Sequence, residues 1–97
     1  MSRDDVIRRL RQHRAELHRL GVGALYLFGS TARDNAGPDS DVDLYFDYDD
    51  PQFSLLELAG LQVRLEELLG RTIDVMSRGS LHPRLRPEIE RSAVQVF

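Results

Sequence analysis

Cysteine and lysine are both absent from this sequence, whose 13 basic residues are all arginine. Without cysteine there are no disulfides, no thiol nucleophile and no thiolate zinc site, a composition that fits a reducing, cytoplasmic setting. Without lysine there is no Walker A phosphate loop and no Schiff-base chemistry. A basic surplus is missing too: the formal net charge of -3 argues against a general nucleic-acid face and against a template-using polymerase. No apolar stretch near the N-terminus is long enough for a signal peptide, and no run approaches a membrane span. The sequence also lacks repeats, linkers and low-complexity tracts. Its 97 residues are read as one domain, 1–97, with a single modest core.

What is present is organised around residues 27–43. Ala24-Leu25-Tyr26-Leu27-Phe28 reads as a buried strand, Gly29-Ser30 as a sharp turn, Thr31-Ala32-Arg33 as the start of a short helix, and Val42 to Phe46 as a second strand. Side chains two apart on a strand share a face, so Asp41 and Asp43 point one way while Val42, Leu44 and Phe46 point the other. Like charges side by side repel unless a cation or proton lies between them. With no lysine to supply that charge, a divalent metal such as Mg²⁺ is the natural candidate.

Gly29-Ser30, ten intervening residues, then Asp41-Val42-Asp43 resembles the G-S-x10-D-x-D signature of the DNA polymerase beta-type nucleotidyltransferases. The fuller strings Gly29-Ser30-Thr31-Ala32-Arg33 and Ser40-Asp41-Val42-Asp43-Leu44 most resemble the minimal nucleotidyltransferases, or MNT proteins. Asp34 stands where many relatives carry glycine after the arginine, which bears on the local turn. The resemblance implies a third metal-binding carboxylate on a neighbouring strand in an I/V-D-V/L context, which Asp74 in Thr72-Ile73-Asp74-Val75-Met76 matches. An edge-strand aspartate facing water is the plainer account of Asp74 taken alone. The resemblance also implies that Asp41, Asp43 and Asp74 hold two Mg²⁺ ions and that Gly29, Ser30 and Arg33 bind ATP. For Arg33 an ion pair with Asp34 or Asp39 is an equal alternative.

Elsewhere the signals are local. Ser2 with Asp5 forms a capping-box pattern opening an amphipathic helix to Leu20, with Val6, Ile7, Leu10 and Leu17 at helical spacing. Its arginines read mostly as a solvated face, and His13 and His18, five apart, as ordinary helix residues. Asp39, Asp41, Asp43 and Asp50 partly match a calcium loop, but Leu44 stands where that loop needs glycine. Asp47, Asp49 and Asp50 read as a solvated turn. Tyr45, on the face of Asp43, either borders a nucleotide or is a half-buried sheet residue; Arg78 either touches phosphate or caps its strand. Ser54 with Glu57 opens a leucine-rich helix to Leu69 before Gly70. A third strand spans Thr72 to Met76, a short helix runs from Leu81 to about Arg91, and a last strand lies within Ala93 to Phe97.

The expected architecture is a small α/β nucleotidyltransferase fold: a mixed sheet of three or four strands, helices on one face and carboxylates on the other. The resemblance implies a metal-dependent transfer of AMP from ATP to a tyrosine of a HEPN-domain toxin, silencing it. The alternative is an antitoxin that keeps the fold but neutralises its toxin by covering it. Docking is expected through the arginine face of the first helix and the segment containing Leu81, Leu85 and Ile89, with no nucleic acid or membrane involved.

Overall fold

A computed structural model describes residues 1–35, 37 and 40–97 of the protein. Asp39 lies outside the described residues, and with it the start of the calcium-loop pattern and one candidate partner for Arg33.

The first amphipathic stretch opens as expected. The Ser2 side chain accepts from the Asp5 N–H, and the Asp5 carboxylate accepts from the Ser2 N–H at 3.0 Å, so two orphan donors of the first turn are satisfied. The helix then divides, contrary to the single run to Leu20, into α1 (Arg3–Gln12) and α2 (Arg14–Arg19). The break is at His13, whose ring nitrogen Nδ1 takes the Arg9 carbonyl at 3.0 Å while its backbone N–H turns to Leu10 O at 3.1 Å. A side chain competing for a helical carbonyl, with a tightened i→i-3 bond beside it, is a sufficient local cause. His18 fixes the exit from α2 by donating from Nδ1 to Val22 O at 2.7 Å.

Four strands follow: β1 (Ala24–Phe28), β2 (Val42–Asp47), β3 (Ile73–Ser77) and β4 (Val94–Gln95), in the order β3-β2-β1-β4. β1 is antiparallel to β2 and β4, and β2 is parallel to β3. The parallel pair needs a crossover, supplied by α4 (Leu55–Leu69). That helix starts in a second capping box between Ser54 and Glu57 and stops at Gly70, whose φ of 64° is the left-handed conformation glycine reaches without strain. A one-turn helix, α3 (Gly29–Ala32), joins β1 to the loop before β2.

Alternation along the strands decides the layers. Leu25, Leu27, Val42, Leu44, Phe46, Ile73 and Val75 form one core with Val6, Leu10 and Leu17 of the first helices and Leu61, Leu65 and Leu68 of α4. The other face of the sheet carries Tyr26, Phe28, Asp43, Tyr45 and Asp74. The mixed four-stranded sheet with its long helices on one side is therefore as expected.

The C-terminal segment differs in detail. Leu81 is extended and only 4% exposed, so it belongs to the protein interior and not to a docking face. Its helix, α5 (Arg86–Ser92), begins later because Pro83 disfavours helical backbone at His82, while Pro87 is accommodated in the first turn. Replacing Ser54 by alanine removes the α4 cap and should lower stability by about 1 kcal/mol. For a domain of this size that is a fall in Tm of roughly 4–8 °C, which thermal melts by circular dichroism would read.

Candidate active site

β1 ends in a backbone reversal that only glycine accommodates. Gly29 has φ +74°, and a Cβ placed there would collide with a carboxylate oxygen of Asp43 and lie 3.1 Å from its Cγ. The turn thus lies directly against Asp43, the residue paired with Phe28 across the β1–β2 ladder. Ser30 follows in α3; among the described residues its hydroxyl has no hydrogen-bond partner, and the helix has no side-chain cap at its N-terminus. Asp34, where glycine was the expected residue, has φ 56° and accepts from the Arg3 N–H at 3.2 Å. The turn keeps its left-handed geometry without glycine, as aspartate tolerates better than most residues.

The parallel register sets Asp43 directly beside Asp74, on the same open face. β3 is an edge strand and Asp74 is exposed, so the plain edge-aspartate description also holds. Burial pushes the Asp43 carboxyl above its usual range, and the charges of Asp74 and then Asp41 push it further, while Arg33 pulls it back. Asp41 precedes the strand and is exposed. Among the described residues no three acidic or histidine side chains form a ready-made cation cluster. The three aspartates are electrostatic neighbours along one edge, and their all-oxygen donor chemistry suits Mg²⁺. Arg33 is exposed and makes no ion pair with Asp34; its charge instead reaches Asp43.

Beyond Asp43 the face closes over. Tyr45 is 1% exposed, stacked on Tyr26 with centroids 4.7 Å apart, and covered by the Arg78 guanidinium at 5.1 Å. Arg78 lies 4.8 Å over Tyr26, donates to both Asp47 oxygens at 2.8 and 2.9 Å and to Glu90 at 2.5 Å. Its nitrogens are committed to these carboxylates, so it serves neither phosphate nor a strand cap. Asp47 is the last residue of β2 and an ion-pair partner, in contrast to the solvated turn expected of it. Asp50 does sit in a turn, accepting from the Gln52 N–H at 2.9 Å. The clamp was missed in the sequence, although period-two alternation already sets Tyr26, Tyr45 and Asp47 on the carboxylate face. The arginine face of α1 is likewise partly used within the molecule: Arg9 donates to Leu68 O and Arg11 to Val96 O.

Comparison with known proteins accords with this geometry. The chain belongs to the nucleotidyltransferase domain family, whose model matches residues 7–96, and is an enzyme of that class. Protein adenylyltransferase MntA of Thermococcus cleftensis is 38% identical over 88 residues, covering 90% of this chain and 88% of that one. A solved structure described as a candidate minimal nucleotidyltransferase matches with a TM-score of 0.82 at 37% identity, over 97% of this chain and 95% of that one. A chain in the complex of a tri-AMPylated Shewanella oneidensis HEPN toxin with its MNT antitoxin matches at a TM-score of 0.60. It is 18% identical, covers 90% of this chain and 71% of that one, and is a likeness of fold alone. The resemblance to minimal nucleotidyltransferases is borne out.

Two outcomes follow from the electrostatics. Because the folded state raises the Asp43 pKa, it holds that proton more tightly than the unfolded chain. Stability from Asp43 is therefore full below the ordinary aspartate range and lost as pH rises through the raised value. In the metal-free protein at neutral pH, Asp43→Asn should raise Tm and flatten that part of the pH profile; an unchanged or lower Tm contradicts the account.

For the clamp the sign is opposite. Glu90 has its pKa lowered, first by the Arg78 hydrogen bond, so its contribution is present above the ordinary glutamate range and lost as pH falls through the depressed value. Arg78→Met should weaken that acid dependence, leaving the part due to Arg86, and expose α5 amides first in hydrogen exchange.

Proposed function

We propose that this chain is a magnesium-dependent protein adenylyltransferase that moves AMP from ATP to a tyrosine hydroxyl of a HEPN-type toxin and thereby acts as its antitoxin. The observation that carries the reading is the register setting Asp43 beside Asp74, with the Gly29 turn pressed against the Asp43 carboxylate. The name of the Thermococcus relative supports the reaction class, and the Shewanella complex supports the kind of partner. The net charge of -3 supports a protein acceptor over a nucleic-acid one. Among the described residues no helix is long and apolar enough to cross a membrane.

Each residue has a role that its position allows. Gly29 lets the chain approach the triphosphate, and the Ser30 hydroxyl donates to it. Arg33 adds positive charge from the exposed side. Asp41 and Asp43 would hold two Mg²⁺ ions, with Asp74 completing the second site; bound there, the ions neutralise phosphate charge and lower the pKa of the attacking hydroxyl. The acceptor oxygen bonds to the α-phosphorus, the bond to the β-phosphate oxygen breaks, and pyrophosphate leaves with the acceptor's proton released. Alignment and charge neutralisation suffice for such a transfer without a protein nucleophile.

Mixing the protein, ATP and Mg²⁺ with the HEPN-type product of the adjacent reading frame should add adenylyl mass increments on tyrosine. Asp43→Asn and Asp74→Asn should abolish them. Ser30→Ala should weaken nucleotide binding by about 1.5–3 kcal/mol, the worth of a hydrogen bond to a charged group. Modification of tRNA with the partner left untouched overturns the reading, whereas tight binding without any increment assigns the protein as a masking antitoxin.

A further inference from the structure

The face of α4 turned away from the core is apolar. Leu56, Ala59, Gly60 and Val63 follow one another along it at helical spacing, all exposed, with Leu56 at 82% and Val63 at 57%. Leu55, 83% exposed, widens the strip on one side. On the other side Leu20 faces it across a cleft of about 320 Å³. An amphipathic helix on a sheet normally presents polar residues there. This one presents them at the flank, where Glu57 stands near the N-terminal end and Arg64 near the C-terminal end, and at the C-terminal end of the strip, where Glu67 is exposed beside Arg64.

Gly60 sharpens the point. Glycine is a poor choice inside a helix, and here a Cβ would meet nothing within 4 Å, so neither turn geometry nor packing in this chain calls for it. At the middle of an apolar strip, a glycine beside Ala59 instead permits another helix to approach closely.

We infer that this face of α4 is an isologous interface with a second copy of the same chain, the two helices running antiparallel about a two-fold axis between Ala59 and Gly60. The charge pattern selects that occupant. Turned end for end against itself, α4 brings Leu56 of one copy to Val63 of the other, and the flank carrying Glu57 and Arg64 meets the same flank reversed, acid against base. Arg64 is already oriented by its bidentate pair with Glu16, at 2.5 and 3.1 Å, which limits the side-chain entropy lost on association. Because α4 covers one face of the sheet and the carboxylates occupy the other, such a dimer leaves both candidate sites open.

The inference does not depend on the proposed reaction, and its test uses neither ATP nor a partner. Sedimentation velocity of the protein alone over a concentration series should show a monomer–dimer equilibrium reaching twice the chain mass. Val63→Glu and Leu56→Glu should shift it to monomer while circular dichroism stays unchanged, because both side chains lie outside the core. Gly60→Leu should dissociate the dimer by separating the helices, and Gly60→Ala should leave the fold intact. A wild-type monomer at every concentration, or a dimer that survives both glutamate variants, overturns the inference. If the wild type is monomeric alone and Val63→Glu abolishes capture of the HEPN-type protein, the face belongs to that partner instead.

Discussion

The sheet has its long helices on only one side, and this constraint governs what each residue of β2 can be. Val42, Leu44 and Phe46 must be apolar because they face the helices, and Asp43, Tyr45 and Asp47 occupy the alternate positions. The arrangement holds Asp43 among like charges, which at close range in a surface-like dielectric costs from about 1 to about 4 kcal/mol per pair. Burying each large apolar side chain on the opposite face contributes roughly 1.5–3 kcal/mol, and three of them lie on this strand alone. The core therefore outweighs the repulsion, and the strand can carry a charge cluster that would not form in isolation.

The open face is divided along its length. At one end lie Asp43, Asp74 and the glycine turn, polar and accessible. At the other, Arg78 covers the stacked Tyr26 and Tyr45 rings and is itself held by Asp47 and Glu90. Arginine suits that place because its planar cation stacks on aromatic rings while its edge donates to carboxylates. The clamp ties α5 to the strand that bears Asp43, so the C-terminal segment and the carboxylate edge share one rigid support.

Much of this was legible in the sequence wherever one short-range rule decides the outcome. Both capping boxes, the Gly70 stop and all four strands follow from local chemistry or from period-two alternation, whereas an aspartate of the third strand joining Asp43 was expected only through the family resemblance. What was illegible depended on distant partners. Tyr45 was left between two roles because its burial is due to Arg78, 33 positions later, and Arg78 was left between two roles because Asp47 and Glu90 converge on it only in the fold. The break at His13 arises from one side chain taking the Arg9 carbonyl, which helical periodicity does not register. Leu81 looked available because an apolar residue beside a turn has no sequence mark of being buried.

The sheet order has a bearing on biosynthesis. β1 and β2 can pair as soon as residue 47 has left the ribosome, but the edge that sets Asp74 beside Asp43 waits for α4 to cross over and for residues 73–77 to emerge. The far side of β1 stays unpaired until residues 94–95 arrive, and Arg78 has no Glu90 to hold before α5 exists. A nascent chain therefore carries an incomplete carboxylate edge until residues 73–77 emerge and an unpaired flank of β1 until residues 94–95 do, so that a chaperone or nucleotide meets Asp43 beside Asp74 only after α4 has crossed over.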